Sequence, residues 1–428
     1  MEVLILVLTF VVLLGIGVPV AWSIGLSSIF TMLVSIPMIP AFTTIAQRMA
    51  TGLDSFSLLA IPFFILAGQI MNKGGIARRL IDFAKTLVGA LPGGLAYVNI
   101  IAAMLFGAIS GSAVAAASAL GSMLGKRMED EGYSKEFSAA INVTSATTGL
   151  IIPPSNVLIV YSLASGGVSI AALFLAGYIP GLLTGLLLMI VAAFWAKKKG
   201  FPVGERSKMS EVFKTFFNAL PSLMLLVVVI GGIVVGLFTA TEASAIAVLY
   251  CLVLTFFYKE MTIKELPDVF LHSVSTTAIV MLLIGTSMSM SWIMAYENIP
   301  QNITDILLSV SDNTFVILLI INIILLFVGI FMDMTPAVLI FTPIFLPVVT
   351  ELGMDPTHFG IIMVLNLCIG LCTPPVGSVL FVGVGVAGTT IQKVIKPLLP
   401  LFIAMIIALI LVTYIPALSL WLPGLFGL

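Results

Sequence analysis

The chain contains 428 residues, of which 60% are hydrophobic and only 9% are charged. A soluble domain carries about 25% charged residues, so this composition excludes a soluble enzyme and a soluble nucleic-acid-binding protein. The formal net charge of −1 indicates no strongly charged partner, and three cysteines are too few for a secreted disulfide scaffold. The composition predicts an all-α polytopic membrane protein.

Apolar runs separated by short charged segments fill the sequence, and a helix needs roughly 20 residues to cross a bilayer. Residues 3–36 contain no charge but are interrupted by Gly15, Gly17 and Pro19, which predicts two short helices. The basic and polar stretch 197–214 is the predicted linker between two halves. Further candidate segments cover residues 55–72, 93–125, 137–166, 169–196, 216–237, 239–258, 269–296, 314–350, 357–388 and 397–420.

An internal repeat relates the two sides of this linker. The segment GLIIPP at 149–154 recurs as GLCTPP at 370–375, an offset of 221 residues. The same offset carries Gly107 to within one residue of Gly329. Matches at nearly one offset predict two structural repeats. Their predicted bounds are residues 1–200 and 209–428.

Lys and Arg are enriched in cytoplasmic loops, so their positions test the topology. We assume an outside N-terminus and, in each repeat, about five full crossings plus one re-entrant hairpin. All Lys and Arg residues except Arg48 then fall on the cytoplasmic side. Because five is odd, the second repeat is inverted relative to the first, and both termini are predicted to be periplasmic. Inverted repeats are typical of secondary transporters.

The two re-entrant hairpins are predicted at residues 93–125 and 314–350. Ser110-Gly111-Ser112 stands at the middle of the first, and Asp333-Met334-Thr335-Pro336 stands at the middle of the second. The flanks of the first hairpin are basic and those of the second are acidic, so the two enter from opposite faces. Irregular backbone at membrane depth is tolerated only where protein or a water-filled site satisfies it, which predicts a binding site.

Two interrupted helices, at residues 137–166 and 357–388, are expected to meet these tips. Each contains a Pro-Pro pair, which removes backbone donors and frees carbonyl groups. Such carbonyls and hydroxyl oxygens suit a small cation such as Na⁺, and helix N-termini favour an anionic substrate. The alternative is that these residues only allow close packing and kinks. The candidate side chains are Ser110, Ser112, Thr147, Thr148, Ser155, Asn156, Asp333, Thr335, Thr373 and Ser378.

Asp333 is the most informative single residue. An ionised carboxylate at the bilayer centre costs about 2.5–3.5 kcal/mol, so it requires a partner. The sequence contains no Lys or Arg between Lys264 and Lys393, which excludes a local salt bridge. Coordination of Na⁺, acceptance of backbone hydrogen bonds, protonation and capping of a helix start remain as alternatives.

The other polar residues give no support for an enzyme. Glu242 lies near a predicted helix start, where capping and the helix dipole explain it. His272 and His358 have no ligand spacing and are expected at the membrane interface. A single acidic residue at membrane depth, without a partner, is not sufficient for an intramembrane protease or lipid transferase. No catalytic residue and no cofactor is therefore predicted. A channel is also disfavoured, because hairpins entering from opposite faces suit alternating access better.

Taken together, the motifs resemble the large membrane subunit of tripartite ATP-independent periplasmic (TRAP) transporters over essentially the whole chain. The resemblance rests on seven segments. They are SGSAVA at 110–115, GYSKEF at 132–137, GLIIPPS at 149–155, TATEA at 239–243, GIFMDMTP at 329–336, HFG at 358–360 and GLCTPPVG at 370–377.

The resemblance implies a sodium-coupled importer of organic acids in the bacterial inner membrane. It implies an elevator-type fold, in which a scaffold with the first and last helices of each repeat carries a mobile domain with both hairpins. The implied partners are a small four-helix membrane subunit of the Q type, a periplasmic substrate-binding protein of the P type and membrane lipid, with no nucleic acid. The sialic-acid branch is favoured, with C4-dicarboxylates as the alternative substrate. A stand-alone sodium symporter that needs no binding protein is the rival interpretation.

The resemblance also implies which residues bind the coupling ion and which bind substrate, with Na⁺ as the only metal. The implied sodium-binding residues are Ser110, Gly111, Ser112, Thr147, Thr148, Gly149, Asp333, Thr335, Gly370 and Thr373. The implied substrate-binding residues are Ser112, Pro154, Ser155, Asn156, Asp333, Pro375, Gly377 and Ser378.

Overall fold

The computed structural model describes residues 2–201, 208–311 and 313–428, which contain helices and no β-strand. The first half holds ten α-helices. Their bounds are α1 Glu2–Gly15, α2 Val20–Ser35, α3 Met38–Leu53, α4 Ala60–Lys73, α5 Ile76–Val88, α6 Gly94–Ser110, α7 Ala113–Asp130, α8 Lys135–Thr148, α9 Asn156–Ala164 and α10 Ile170–Lys199.

The described part of the second half holds ten more α-helices. Three pairs begin 221 residues apart, namely α7 with α16, α8 with α17, and α10 with α19, so the sequence offset also relates helix starts. The bounds are α11 Met209–Val234, α12 Ala240–Phe257, α13 Leu266–Tyr296, α14 Ile299–Val310, α15 Thr314–Phe331, α16 Met334–Glu351, α17 Pro356–Gly370, α18 Ser378–Ala387, α19 Ile391–Tyr414 and α20 Ala417–Leu425.

The helix breaks lie where the sequence predicts them. The chain turns between α6 and α7 and between α15 and α16, and non-helical segments separate α8 from α9 and α17 from α18. The two short helices predicted over residues 3–36 are α1 and α2. Within the described ranges, eight helical segments are long and apolar enough to cross a membrane, which fits a multi-pass protein. Re-entry of the hairpins and inversion of the repeats stay predictions.

Three helices, α3, α5 and α14, lie outside the predicted apolar segments, and α3 and α14 illustrate the reason. Both carry polar side chains, such as Gln47 and Arg48 on α3. Each buries only one face, which on α3 contains Ala41 and Ile45. A search for uncharged apolar runs overlooks helices of this kind, because their apolar residues recur every three or four positions. Residues 202–207 of the predicted 197–214 linker lie outside the described residues.

Pairs of glycines bring each hairpin against a broken helix. A Cβ atom added to Gly149, which follows the last residue of α8, would lie 2.6 Å from the Cα atom of Gly107 on α6. A Cβ atom added to Gly370 on α17 would lie 2.5 Å from the Cα atom of Gly329 on α15. Since Cβ atoms do not approach carbon atoms this closely in packed interiors, both helix crossings require glycine.

The two broken helices also contact each other. The buried Cys368 thiol on α17 donates to the carbonyl oxygen of Thr147 on α8 at 3.3 Å, and Cys372 donates to Val143 at 3.4 Å. Residues 147 and 368 stand one repeat offset apart, so equivalent positions of the two halves touch. The two cysteines serve as small buried packing residues with weak hydrogen bonds.

The helices pack in two groups. One contains α1–α4 and α11–α13, and the other contains α6–α10 and α15–α20. The groups meet through α5 and α14 and through direct contacts, mainly of α4 with α6 and of α13 with α16. Helices α10 and α19 pack against each other and against α8 and α17, and the assignment of the last helix of each repeat to the scaffold stays a prediction. Glycines explain this placement of α10. Gly177 and Gly181 leave space for Ile151 and Ile152 of the first break, and Gly185 leaves space for Met104.

Two further polar residues have clear structural roles. The Glu242 carboxylate accepts the backbone N–H of Thr239 at 2.8 Å while the Thr239 hydroxyl accepts the N–H of Glu242, so the predicted capping role is confirmed. His358, which is expected at the membrane interface, is buried within the protein, and its depth in the membrane stays a prediction. Only 1% of this residue is exposed, and its Nε2 atom lies 3.4 Å from the carbonyl oxygen of Thr413.

Replacement of Gly149 with Ala should destabilise the folded protein by about 1–3 kcal/mol, because the added methyl group overlaps the α6 backbone. Thermal unfolding in detergent measures the effect. Gly125→Ala is the matched control, since no atom lies within 4 Å of the added Cβ on α7. Equal stability of the two variants would contradict the close crossing.

Candidate functional site

A cavity of about 250 Å³ lies where the two hairpin tips, the broken helix α8–α9 and helices α4 and α13 meet. The structure thus brings together both predicted tips and the start of α9. A second cavity of about 100 Å³ adjoins it between the tips and shares Gly111, Ser112, Asp333 and Thr335 with it. The polar residues and glycines that line the larger cavity are Gly68, Gln69, Asn72, Ser110, Gly111, Ser112, Asn156, Thr276, Asp333 and Thr335.

The first tip is fixed by a glycine turn and a helix cap. Gly111 ends α6 with a φ of 62°, a left-handed conformation that favours glycine. Ser112 caps α7, and its hydroxyl oxygen accepts the backbone N–H of Ala115 at 3.2 Å. A Cβ atom on Gly111 would lie 2.7 Å from Asn156 Nδ2, so the tip rests on the first residue of α9.

The second tip differs in its chemistry. Asp333 stands one repeat offset from Ser112 and also precedes a hairpin arm, but its side chain makes no capping hydrogen bond. The residue is exposed toward the cavity, and among the described residues no basic side chain forms an ion pair with it. Thr335 lines the cavity one residue into α16. The carboxylate is therefore directed into a shared polar space.

Two buried oxygen atoms beside the first tip have no hydrogen-bond partner in the described residues. They are Oγ of Ser155, a residue that is only 1% exposed, and Oδ1 of Asn156. Burial of an unpaired polar atom is costly, so a site that supplies a donor or a cation stabilises such atoms. Both stand at the start of α9, next to the cavity, which is where the sequence predicts an oxygen-rich site.

Other predicted site residues lie outside the cavity lining. The hydroxyl groups of Thr147 and Thr148 both donate to the carbonyl oxygen of Thr144, and that of Thr373 donates to Ile369. Gly149 and Gly370 form the close helix crossings described above. The assignment of these threonines and glycines to sodium binding stays a prediction. The remaining residues outside the lining are Pro154, which is buried, Gly377, which packs against the carbonyl oxygens of Leu371 and Thr373, and Pro375 and Ser378, which are exposed.

Three cavity residues were missed by the sequence reasoning. Gln69 and Asn72 project from α4, and Thr276 projects from α13, so they form the wall opposite the hairpin tips. The signal was present for α4, because positions 65, 68, 69 and 72 share one helix face and two of them are amides in an apolar helix. Helix α4 is unbroken, so it lacks the glycine and proline interruptions that mark the other parts of the site.

The electrostatic character of the cavity is simple. Asp333 is its one ionisable lining residue among the described positions, and the other polar groups are amides and hydroxyls. Within the described residues, no cluster of three or more His, Cys, Asp and Glu side chains is placed to hold a metal ion. The arrangement can bind a small cation beside Asp333 and can hydrogen bond a polar solute across the two walls.

A polytopic helical protein with two hairpin tips at a shared polar cavity is a membrane transporter. The chain belongs to the DctM family, described as "Tripartite ATP-independent periplasmic transporter, DctM component", which matches residues 7–418. Proteins of this family are large permeases, and they work with a small membrane partner and a periplasmic binding protein. The resemblance seen in the sequence is thereby confirmed.

Relatives match nearly the whole chain. The protein YgiK of Salmonella typhimurium is 58% identical, with 98% of this chain and 96% of YgiK covered. The C4-dicarboxylate TRAP transporter large permease DctM of Rhodobacter capsulatus is 38% identical, with 96% of both chains covered. The sialic acid TRAP transporter large permease SiaM of Vibrio cholerae is 42% identical, with 89% of both chains covered.

Solved structures support the fold. The YdaH transporter of Alcanivorax borkumensis matches with a TM-score of 0.65 over 87% of each chain, at 13% sequence identity. This likeness concerns the arrangement of helices alone. It agrees with a membrane-transporter fold for this chain.

Ser112→Ala and Ser134→Ala each remove one N-cap, from α7 and α8, and each should cost about 1 kcal/mol of stability. Thermal unfolding in detergent measures that common loss. If sodium binds at the predicted site, NaCl should stabilise the protein more than choline chloride does. Only Ser112 lines the cavity, so only Ser112→Ala should weaken this expected sodium effect. An equal loss of this sodium effect in Ser134→Ala would show that the effect reports helix capping alone.

Proposed function

We propose that the protein is the large permease of a sodium-coupled transporter that imports an organic acid delivered by a periplasmic binding protein. The substrate is sialic acid or a C4-dicarboxylate, as the names of two relatives suggest. The protein works in the bacterial inner membrane, with both termini periplasmic and a four-helix subunit as its membrane partner. The observation that carries this proposal is the Asp333 carboxylate, which no basic residue pairs within the described residues, at a cavity between two hairpin tips.

Sodium coupling follows from the charge balance of the cavity. A carboxylate at membrane depth is unfavourable unless a positive charge or hydrogen-bond donors compensate it. The described lining supplies no Lys, Arg or His, whereas hydroxyl and amide oxygens surround both tips. Sodium prefers such oxygen ligands, and the unpaired oxygens of Ser155 and Asn156 lie on the side of the first tip. A sodium ion at each tip would compensate the carboxylate and order the turn.

An acidic substrate also requires a positive partner. Helices α7 and α16 both begin at the tips, and their first residues, Ala113 and Met334, line the smaller cavity. The N-terminus of a helix carries a partial positive charge and unpaired N–H groups, so two such ends favour a substrate carboxylate. Bound sodium would supply the remaining charge, which makes substrate binding depend on the ion.

The packing of the helices suggests an elevator-like movement. The tips belong to the group that contains α6–α10 and α15–α20, whereas Gln69, Asn72 and Thr276 belong to the other group. The cavity therefore lies between the two groups. A displacement of the hairpin group along α4 and α13 would carry the tips with their bound solute and leave the opposite wall behind.

Uptake into proteoliposomes tests this function. The protein is reconstituted with its small membrane subunit, a sodium gradient is imposed, and labelled sialic acid is supplied with or without the binding protein. Uptake that requires both sodium and the binding protein is the expected result. Uptake with sodium alone would support a stand-alone symporter, and labelled C4-dicarboxylates tested in parallel distinguish the two substrate classes.

Asp333→Asn keeps the size and capping ability of the side chain but removes its charge. Sodium-driven uptake should fall at least tenfold, because the cation loses its charged partner. Asp305→Asn on α14 is the matched control, since Asp305 is exposed and does not line the cavity. Full sodium-driven uptake by Asp333→Asn would contradict the proposed role of the carboxylate.

A further inference from the structure

A third cavity, which is also polar, lies away from the two cavities at the hairpin tips. It lies between α5 and the half of α7 that is farther from the tip. Its volume is about 280 Å³, and it shares no lining residue with the larger cavity at the hairpin tips. Its lining residues are Arg78, Ile81, Asp82, Met123, Leu124 and Arg127. Two cations and one anion therefore face a single pocket, on α5 and on the end of α7 that lies away from the hairpin tip.

The sequence of α5 explains why Arg78 is directed into this pocket. The neighbouring Arg79 is engaged elsewhere, since its guanidinium pairs with Glu260 at 3.0 Å and lies 3.6 Å from the centre of the Tyr258 ring. Arg78 lies on a different side of the helix, one turn from Asp82. Successive residues of a helix point about 100° apart, so adjacent arginines serve different surfaces.

Neither arginine of the pocket is neutralised within the described residues. Arg78 and Arg127 form no ion pair there, and the nearby Glu129 pairs with Lys135 at 3.5 Å instead. Both guanidinium groups are exposed and present several N–H donors in a plane. Two such groups facing one space match the oxygens of a phosphate.

The third charge defines the ligand further. Asp82 lies in the same pocket and would repel a ligand that carries only negative charge. A zwitterion that places a phosphate near the two arginines and an ammonium near Asp82 satisfies all three groups. We propose that this pocket binds the headgroup of a phosphatidylethanolamine molecule from the bilayer.

The apolar part of the pocket favours a lipid over a free phosphate. Ile81 and Leu124 are buried at 2% and 1% exposure and form its floor, and Met123 beside them is 37% exposed. An apolar surface at the edge of a charged pocket suits the glycerol and the first acyl carbons of a lipid. Basic pockets between membrane helices bind phospholipid headgroups in this way.

Such a lipid would connect α5 and α7, which both pack on α6. Helix α5 packs on α11 of one helix group and on α6 of the other, whereas α7 is an arm of the first hairpin. A headgroup held by Arg78 and Arg127 spans the gap between these helices. The lipid would therefore stabilise the contact between the connecting helix α5 and the hairpin.

Native mass spectrometry of the full chain, exchanged into detergent with equal amounts of phosphatidylethanolamine and phosphatidylglycerol, tests the site. We expect one retained phosphatidylethanolamine, and at least a fivefold loss of it in the double variant R78Q/R127Q. In D82N the preference for phosphatidylethanolamine over phosphatidylglycerol should fall to near unity. The matched control is K197Q/K198Q, which removes two charges from the last turn of α10.

Three results would overturn the proposal. Equal lipid retention by the wild type and R78Q/R127Q would show that the two arginines do not hold the lipid. Equal retention of the two lipids by the wild type would show that Asp82 does not select phosphatidylethanolamine over phosphatidylglycerol. Displacement of the bound lipid by soluble glycerophosphoethanolamine at the same concentration would show that the pocket recognises a headgroup without its acyl chains. Matching thermal unfolding of all variants confirms that each one is folded.

Discussion

The approach of helix backbones at two glycine pairs is the constraint on which the rest of the structure depends. Gly107 against Gly149 and Gly329 against Gly370 leave no space for a side chain, so each hairpin lies directly on a broken helix. In a bilayer the hydrophobic effect does not drive helices together, and small residues that allow close packing take its place. The positions of both tips, and hence the shape of the cavity between them, follow from these crossings.

On this duplicated frame the two tips carry different chemistry. The position that precedes the second arm of each hairpin holds Ser112 in one half and Asp333 in the other. Ser112 is occupied with capping its own helix, whereas Asp333 makes no such hydrogen bond and faces the shared cavity. The backbone of the site thus occurs in both halves, whereas only the second half contributes a charged side chain. A cavity with one carboxylate and many neutral oxygens offers unequal surroundings to a cation at each tip.

Much of this could be predicted from the sequence, because glycine, proline and the lack of charge act through local rules. The breaks at Ser110–Ser112 and Asp333 and at the two Pro-Pro pairs were visible for that reason. What could not be predicted depends on packing between distant segments. The burial of His358 against Thr413, the group to which α10 belongs and the cavity wall formed by Gln69 on an intact helix are all of this kind. Periodicity within a single segment carries no information about its partner.

The contact between Thr147 and Cys368 places a particular demand on the protein. These residues occupy equivalent positions of the two halves, so residue 147 contacts its own counterpart in the other repeat. The Cys368 thiol meets the backbone carbonyl of Thr147, so the space for residue 368 is bounded by the α8 backbone itself. A side chain larger than cysteine at 368 would displace this backbone and, with it, Gly149 and the hairpin that Gly149 contacts. The size of one residue in the second half therefore fixes the position of a hairpin in the first.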